Sequence, residues 1–483
     1  MAKMNVKKVS DPVFTHGGAV TAKQGDVENL KRAVLSCMLW EDQHYEDGMS
    51  IAERIAALVP KVKPETVQEL AIKARADMKL RHVPLLLARE MVRHDSHKKL
   101  VADTLFEIVQ RPDELSEFMA IYWAGGKSPI AAQVKKGLAR AFTKFSEYSL
   151  AKYRGEGKQV SLKDVMFLTH AKPSDVSRDM AKWDKDARRL YNPDQGFCRE
   201  FTKGELLFGK LVNDALATPD TWEVALSAGG SKKETWERLL KEKKLGVLAF
   251  LRNLRNMYEA GISRDLVAEY AATVNVDRAL PFRFITAAKY APQWERQIEE
   301  MMFRCVDSVE KLPGKTVLIV DISGSMGSCI SGRSEVTRLQ TAGALAILAR
   351  EMCEDIHIYA TAGSDMKRVH KTKMIPARRG FALSDACVGR EVYNELGGGG
   401  IFLNQVMDYV YDREQEADRV IILTDEQDCD VKANPKDANA FGKSNYIINV
   451  ASYKNGVAYS KFHHINGWSE SVLDYIREYE KLN

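Results

Sequence analysis

The sequence predicts a multidomain α + α/β protein, an all-α region of stacked helical pairs followed by a doubly wound α/β domain. Apolar residues recur at helical spacing from about Val27 to about Val309. Near Pro313-Gly314 the pattern changes to unbroken β-branched runs, the composition of parallel strands covered on both faces. Those runs alternate with a helical stretch, as in an open α/β sheet. The boundaries that follow are an N-terminal extension (1–23), a helical region (24–312) and an α/β domain (313–483). With 483 residues, 45% hydrophobic and 28% charged, the chain has material for several cores and is too apolar for wholesale disorder.

Within the helical region, Leu30, Val34, Cys37 and Met38 share one helix face. The same rhythm returns in VPLLLAREMV, VADTLFEIV, ELSEFMAIYW and LGVLAFLRNLRNMY. The breaks are short. Pro60 and Pro64 bracket one, Ser161 with Asp164 forms a capping box whose segment ends at Pro173, and Gly261 followed by Ser263 is a stop and restart. No fixed period emerges, so the region is a set of degenerate helical repeats. In the α/β half, Thr316–Asp321 (TVLIVD) is the first strand, Thr337–Cys353 a helix, and IHIYATA, DRVIILTD and NYIINVAS are further buried strands. SESVLDYIREYE closes the chain as a helix capped by Ser469.

Composition excludes several classes. Seven scattered cysteines (Cys37, Cys198, Cys305, Cys329, Cys353, Cys387, Cys429) with no C-x-x-C spacing argue against a zinc ribbon, a redox dithiol or a disulfide scaffold. MAKMNVKKVSDPVF has no apolar segment of signal-peptide length, and no run reaches a membrane span of about 18 residues. A soluble, cytoplasmic protein is expected. The net charge of +5 is too mild to mark a nucleic-acid binder, so any basic patch must be local.

One such patch is Gly126–Arg154. Seven bases (Lys127, Lys135, Lys136, Arg140, Lys144, Lys152, Arg154) face one acid, Glu147, a local balance of +6. At helical spacing Val134, Leu138, Phe142 and Phe145 form the buried stripe, which puts Lys135, Lys136, Arg140 and Lys144 on the solvent side of one rigid helix. Four cations so presented can follow a phosphate backbone through counterion release without reading bases. The bland alternative is an ordinary solvated face, but surface helices usually interleave acids. Tyr148, at the edge of the stripe, is expected in the core. VSLKDVMFLTHAKP then adds Lys163, His170 and Lys172 near a helix C-terminus.

The other sharp signal is Asp321-Ile322-Ser323-Gly324-Ser325-Met326, at the C-terminal end of the first strand, where open α/β sheets place ligands. One carboxylate and two alternate hydroxyls can face one hard cation such as Mg²⁺, which prefers about six oxygens. DRVIILTDEQD brings Asp425 from a second strand, to the ion directly or through water. The competing reading is a serine-rich turn without metal.

DISGSMG after a Val/Ile strand, with a later strand ending in Thr-Asp, resembles the von Willebrand factor A domain and its metal-ion-dependent adhesion site. That family's second loop brings a threonine; here Gly397–Gly400 is followed by Ile401, leaving Ser384 or water to substitute. LRHVPLLLAREMVRH, the basic segment, LKDVMFLTHAKP, TWEVALS and FLRNLRNM stand in the order found in TROVE-domain proteins. With the C-terminal domain, nearly the whole chain resembles the Ro 60 kDa autoantigen family. The resemblance implies HEAT-like repeats closed into a monomeric ring by the von Willebrand A domain. It also implies binding of Y-type stem-loop RNAs and of single-stranded 3′ ends of misfolded or immature RNA, with an exoribonuclease as partner. By position it carries over Lys136, Arg140, His170 and Lys172, and Arg255 and Asn256 from RNLRNM, as RNA-binding residues, and a divalent cation as cofactor.

Remaining motifs lead nowhere catalytic. His94 and His97 lack a third ligand and are assigned to the surface; His463-His464 are packing or capping residues. Gly397–Gly400 lacks the following Gly-Lys-Ser/Thr of a phosphate loop. Asp425-Glu426-Gln427-Asp428 with Asp321 falls short of the paired carboxylates a two-metal nuclease needs. The leading expectation is a non-catalytic RNA-binding protein. Its rivals are an adaptor that binds partner carboxylates through the metal loop and, less favoured, a metal-dependent nuclease.

Overall fold

A computed structural model describes residues 13–14, 20–21, 25–36, 48–76, 80–154, 159–176, 201–277, 279, 281–307, 310–330, 335–430, 441–442, 444–451, 462–466, 472–473, 476–477 and 480. Ser469, Cys37, Met38 and Cys198 lie outside this set. By internal contacts the chain divides into two compact units, 55–228 and a second made of 1–54 with 229–483.

After the pair β1 (Val13–Phe14) and β2 (Val20–Thr21), the helices run α1 (Asp26–Ser36), α2 (Gly48–Leu58), α3 (Pro64–Ala76), α4 (His82–Arg93), α5 (Val101–Ile108), α6 (Pro112–Tyr122), α7 (Ala132–Phe142), α8 (Glu147–Lys152) and α9 (Leu162–Thr169). In the 55–228 unit the packing skips one element at a time. Helices α3, α5, α7 and α9 stack in one row and α4 packs on α6 in another, the arrangement of helical-pair repeats.

Charged residues pin the first repeats. Arg75 of α3 places Nη2 2.6 Å from Glu114 Oε1 of α6 and donates Nε to the Ile108 carbonyl at 3.1 Å, with all three groups buried. The second Glu114 oxygen accepts the Gln110 and Arg111 amides at 2.8 and 3.0 Å, tying down the start of α6. Removing either partner would strand a buried charge, so the pair fixes the register of the repeats whatever its net worth.

The contact between α5 and α7 depends on Gly137. A Cβ there would lie 2.8 Å from the Ala102 carbonyl oxygen and 2.9 Å from Leu105 Cβ, so only glycine allows the two backbones to approach this closely. Val134, Leu138, Phe142 and Phe145 are buried as the periodicity requires. The basic segment is two helices rather than one, however. Helix α7 ends at Phe142, Lys144 lies in the turn, and Ser146 caps α8 by accepting the Ser149 amide at 3.3 Å. The break shifts the helical phase and turns Tyr148 out of the apolar stripe, to 52% exposure, instead of into the core.

In the second unit, helical pairing continues through Lys232–Lys241, Val247–Glu259, Arg264–Thr273, Pro281–Tyr290 and Glu295–Val306. Tyr270 packs on Phe250 with ring centroids 4.9 Å apart and donates to the Leu245 carbonyl at 2.5 Å. The Pro281–Tyr290 helix lies against the Arg338–Met352 helix, joining these repeats to the α/β sheet.

The sheet comprises β3 (Leu312–Asp321), β4 (Cys353–Ser364), β5 (Val369–Met374), β6 (Arg419–Thr424), β7 (Ser444–Asn449) and β8 (His463–Asn466), in the order β5-β4-β3-β6-β7-β8. All neighbours are parallel except β4–β5, so the sheet is mixed. The chain leaves β3 for β4 on one side and returns to β6 on the other, which makes the C-terminal ends of β3 and β6 the topological switch point. The two sheet faces carry separate apolar clusters, one around Leu318, Val320 and Ile421, the other around Val317, Ile319 and Ile422. No helix among the described residues is long and apolar enough to cross a membrane.

Replacing Gly137 with Val should destabilise the protein by about 1–3 kcal/mol in urea unfolding, although valine is the better helix former. An unchanged midpoint would show that α5 and α7 are not held at backbone contact.

Candidate functional site

The cations of the basic segment divide into two groups. Arg140 lies 4.6 Å over the Phe106 ring and is ion-paired with Asp103 of α5 at 2.5 Å. Lys144 approaches the same ring at 4.7 Å and donates to the carbonyls of Phe106 and, at 2.6 Å, Val109. Its ammonium thus closes the C-terminal end of α5, where unpaired carbonyls and the helix dipole favour a cation. Burial pulls the Lys144 pKa below the ordinary lysine value. Arg140 and Lys144 thus lie on the solvent side as expected, but each also engages α5, Lys144 from the turn after Phe142. Farther along, Arg154 pairs with Asp214 at 2.6 Å, and Lys210 with Glu147 at 2.8 Å.

Lys135 and Lys136 stand apart. Lys136 is exposed, Lys135 half-buried, and neither has an ion pair among the described residues. Lys127 is exposed in the preceding loop, with its ammonium 5.8 Å from the Trp123 ring. Helix α9 packs on α7 and ends at His170, which adopts the left-handed conformation with φ +53°. The His170 amide donates to the Phe167 carbonyl at 3.2 Å and the Ala171 amide to Met166 at 3.1 Å, so the cap is a tight reversal that presents His170 and Lys172 to solvent. At the other end of α9, Ser161 and Asp164 form the reciprocal cap, with the Ser161 amide 2.8 Å from Asp164 Oδ2. Adjacent stacked helices thus carry Lys135, Lys136, His170 and Lys172 on rigid supports.

Arg255 and Asn256 belong to the other compact unit, on the Val247–Glu259 helix. Arg255 lies 3.6 Å from Glu259, and Asn256 donates to Asn253 Oδ1 at 2.8 Å, while buried Asn253 donates to the Ala249 carbonyl. Both Arg255 and Asn256 line a cavity of about 400 Å³ against the Pro281–Tyr290 helix.

At the switch point of the sheet, the register Val320↔Leu423 sets the next residues, Asp321 and Thr424, side by side. Thr424 donates its hydroxyl to Asp321 Oδ2 at 2.7 Å, and the Ser323 amide donates to Asp321 Oδ1 at 2.8 Å. Ser323 and Ser325 hydroxyl oxygens lie 3.4 Å apart. Asp425 is buried 3.6 Å from the Arg338 guanidinium, which also donates to the Ser325 carbonyl at 3.4 Å. Burial, reinforced by the neighbouring Asp425 carboxylate, pushes the Asp321 pKa up to about 7.

Glycines make this crossing possible. The Gly324 amide donates to the Gly399 carbonyl at 3.1 Å, and a Cβ on Gly399 would fall 2.6 Å from the Gly363 carbonyl. The Gly397–Gly400 run is therefore a three-way backbone contact beside the hydroxyl loop. Ile401 is buried in the core. Ser384 sits on the Gly380–Val388 helix, its hydroxyl against Gly343 in the middle of the Arg338–Met352 helix. As donors, Asp321, Ser323 and Ser325 suit one hard cation, two hydroxyls and a carboxylate converging from one turn. Arg338 is the site residue missed in the sequence. Its signal was a cation in the first turn of a helix, where the dipole disfavours it without an acid nearby.

One histidine assignment changes. His97 is buried instead of exposed, its Nε2 3.1 Å from the Val62 carbonyl and its Nδ1 2.9 Å from the Ser96 hydroxyl, because the chain folds a short turn of helix over it. His464 pairs with buried Glu426 at 3.0 Å.

A raised Asp321 pKa means that folding favours its neutral form. That contribution is complete below about pH 4 and is lost as the pH rises through about 7. In chelator, Asp321→Asn should raise the melting temperature by several degrees at pH 8 and by much less at pH 5; a pH-independent difference would refute the buried-carboxyl description.

Residues 211–379 match the TROVE domain family, a span that runs from the helical pairs into the first half of the sheet. Telomerase protein component 1 of Mus musculus is 38% identical over 89 residues, which is 17% of this chain and 3% of that protein. The same protein of Rattus norvegicus is 37% identical over 89 residues. The chain thus spans only a small part of these curated relatives' length. The crystal structure of the Ro (RSR) protein of Deinococcus radiodurans superposes with a TM-score of 0.58 at 15% identity, covering 94% of this chain and 99% of that one. Residues 211–379 thus match the TROVE domain family, and the chain as a whole, a helix-rich N-terminal region followed by a C-terminal mixed α/β sheet, has the fold of the Ro protein.

Proposed function

We propose that this protein binds small non-coding RNA through the α7–α9 surface, without catalysing a reaction. The observation that carries this reading is the pair Lys135 and Lys136, held on a helix pinned at Gly137 and lacking an ion pair among the described residues. A cation already paired with a carboxylate gives little to an incoming phosphate; an unpaired one releases counterions when RNA binds. The TROVE match supports the class of ligand, since that family is generally RNA-binding. The ligands proposed are Y-type stem-loops and single-stranded 3′ ends of misfolded or immature RNA. Lys127, His170 and Lys172 extend the contact, and Arg140 and Lys144 position α7. The setting proposed is cytoplasmic RNA quality control or maturation, with an exoribonuclease processing the RNA delivered. Selectivity would come from backbone geometry and the availability of an unpaired strand more than from base sequence.

A secondary property is proposed for the α/β loop. Asp321, Ser323 and Ser325 would hold a divalent cation, with Asp425 acting through water while Arg338 neutralises it. The cation would supply an open coordination position for a partner's carboxylate or phosphate. This is the feature that favours the adaptor reading, and the two properties can coexist on one chain.

Lys135→Glu with Lys136→Glu should weaken binding of a tailed small RNA at least ten-fold and reduce the slope of log affinity against log salt by about two. Arg140→Ala should shift the unfolding midpoint as well as affinity. Wild-type affinity and salt slope in the lysine variant, measured by filter binding between 50 and 200 mM salt, would remove the basis for the proposal.

A further inference from the structure

We infer that the segment Thr202–Ala217 is an autoinhibitory clasp, an internal acidic competitor that withholds Arg154 and Lys163 from an incoming RNA. The inference rests on the RNA-binding reading above and concerns the regulation of that same surface. The segment carries one helix, Lys203–Val212, within the 55–228 unit. Its start is tied beyond the C-terminal end of α9. There Asp175 accepts the Gly204 amide at 2.9 Å and the Thr202 hydroxyl at 2.8 Å. Those two bonds hold the Asp175 carboxyl below the usual carboxylate range. The other end is tied at the beginning of α9, where Lys163 donates to the Val212 carbonyl. The helix therefore runs antiparallel beside α9, whose C-terminal end presents His170 and Lys172.

Apolar packing holds this helix only lightly. Leu211 is its one fully buried side chain, Leu206 stays exposed, and Phe208 meets Phe142 edge-on with ring centroids 6.0 Å apart. Polar contacts supply the rest. Asp214 pairs with Arg154 at 2.6 Å and lies 3.9 Å from Lys163. Glu147, the single acid of the basic segment, accepts Lys210 at 2.8 Å and the Ala217 amide at 3.1 Å. Asp214 adopts the left-handed conformation with φ +57°, which aspartate and asparagine tolerate better than most residues. That turn sets one carboxylate against two bases from different elements, one after α8 and one on α9. Exposed ion pairs of this kind add little stability and are screened by salt, so a polyanion can displace them. Until it does, phosphates compete with Asp214 for both bases. The apparent affinity is then lowered by the fraction of chains in which those bases are engaged.

The test uses the full chain and a tailed small RNA, with filter binding between about 50 and 200 mM salt. The variants are Asp214→Asn and Asp214→Gly, which remove the charge and keep a residue that accepts the left-handed turn. Each should bind RNA about five-fold more tightly at the lowest salt, with the slope of log affinity against log salt steeper by about one. The gain should shrink as salt rises, because the clasp itself is screened. In a chain carrying Arg154→Ala with Lys163→Ala, Asp214→Asn should change affinity by less than about two-fold, since the bases it restrains are gone. Unchanged affinity in both Asp214 variants overturns the clasp and leaves the α7–α9 reading in place. Lowered affinity that follows a lowered melting temperature assigns Asp214 to the fold alone and overturns it equally. A full gain that persists without Arg154 and Lys163 overturns their release as its cause. Failure of the unaltered chain to bind the RNA overturns the proposed function and this inference with it.

Discussion

Helix α7 touches α5 at backbone distance through Gly137, and everything proposed for the basic surface depends on that contact. It sets Arg140 and Lys144 over the Phe106 ring, one against Asp103 and the other against the open carbonyls of α5. Those two cations fasten α7 to α5 at the surface. Once they are engaged, α7 has a fixed rotation about its axis, and Lys136 has nowhere to point but outward. The local excess of positive charge therefore has two uses, and a count of lysines and arginines cannot separate them. Only the positions of acids and carbonyls on the neighbouring helix decide which cation fastens the fold and which remains for a polyanion.

Much of the architecture was legible from residue order. The buried stripe of Val134, Leu138, Phe142 and Phe145, the Ser161–Asp164 cap and the strands after residues 316, 356, 418 and 444 follow from short-range periodicity, which is a local property. What escaped was of two kinds. Strand β5 reads VHKTKM, charged and half-exposed, because an antiparallel edge strand has no second layer to bury its side chains and its lysines keep other edges away. The break between α7 and α8 was hidden because Thr143–Phe145 continues the apolar rhythm while the backbone leaves the helix. Partners distant in sequence were equally invisible: Asp103 for Arg140, Asp214 for Arg154 and Val62 for His97 are set by packing of nonadjacent helices.

The hydroxyl loop shows the same division. Its location at the end of β3 was readable, since the topology of an alternating α/β sheet places ligand sites there. Its electrostatics were not. Arg338 stands beside Asp425, Thr424 donates to Asp321, and Ile401 packs into the core where a related site would present a hydroxyl. The loop thus combines a carboxyl whose pKa burial raises to about 7 with a buried guanidinium beside Asp425.

Direct contact of RNA with α7 and the end of α9 is the interaction on which the proposed function stands. Ultraviolet crosslinking of a tailed small RNA to the full chain, followed by mass spectrometric mapping of the crosslinked peptides, tests it most plainly. Crosslinks in peptides spanning 127–144 and 163–172, diminishing as salt is raised, are the predicted result. Crosslinks confined to residues beyond 312, or to the Val59–Thr104 helices alone, would contradict it.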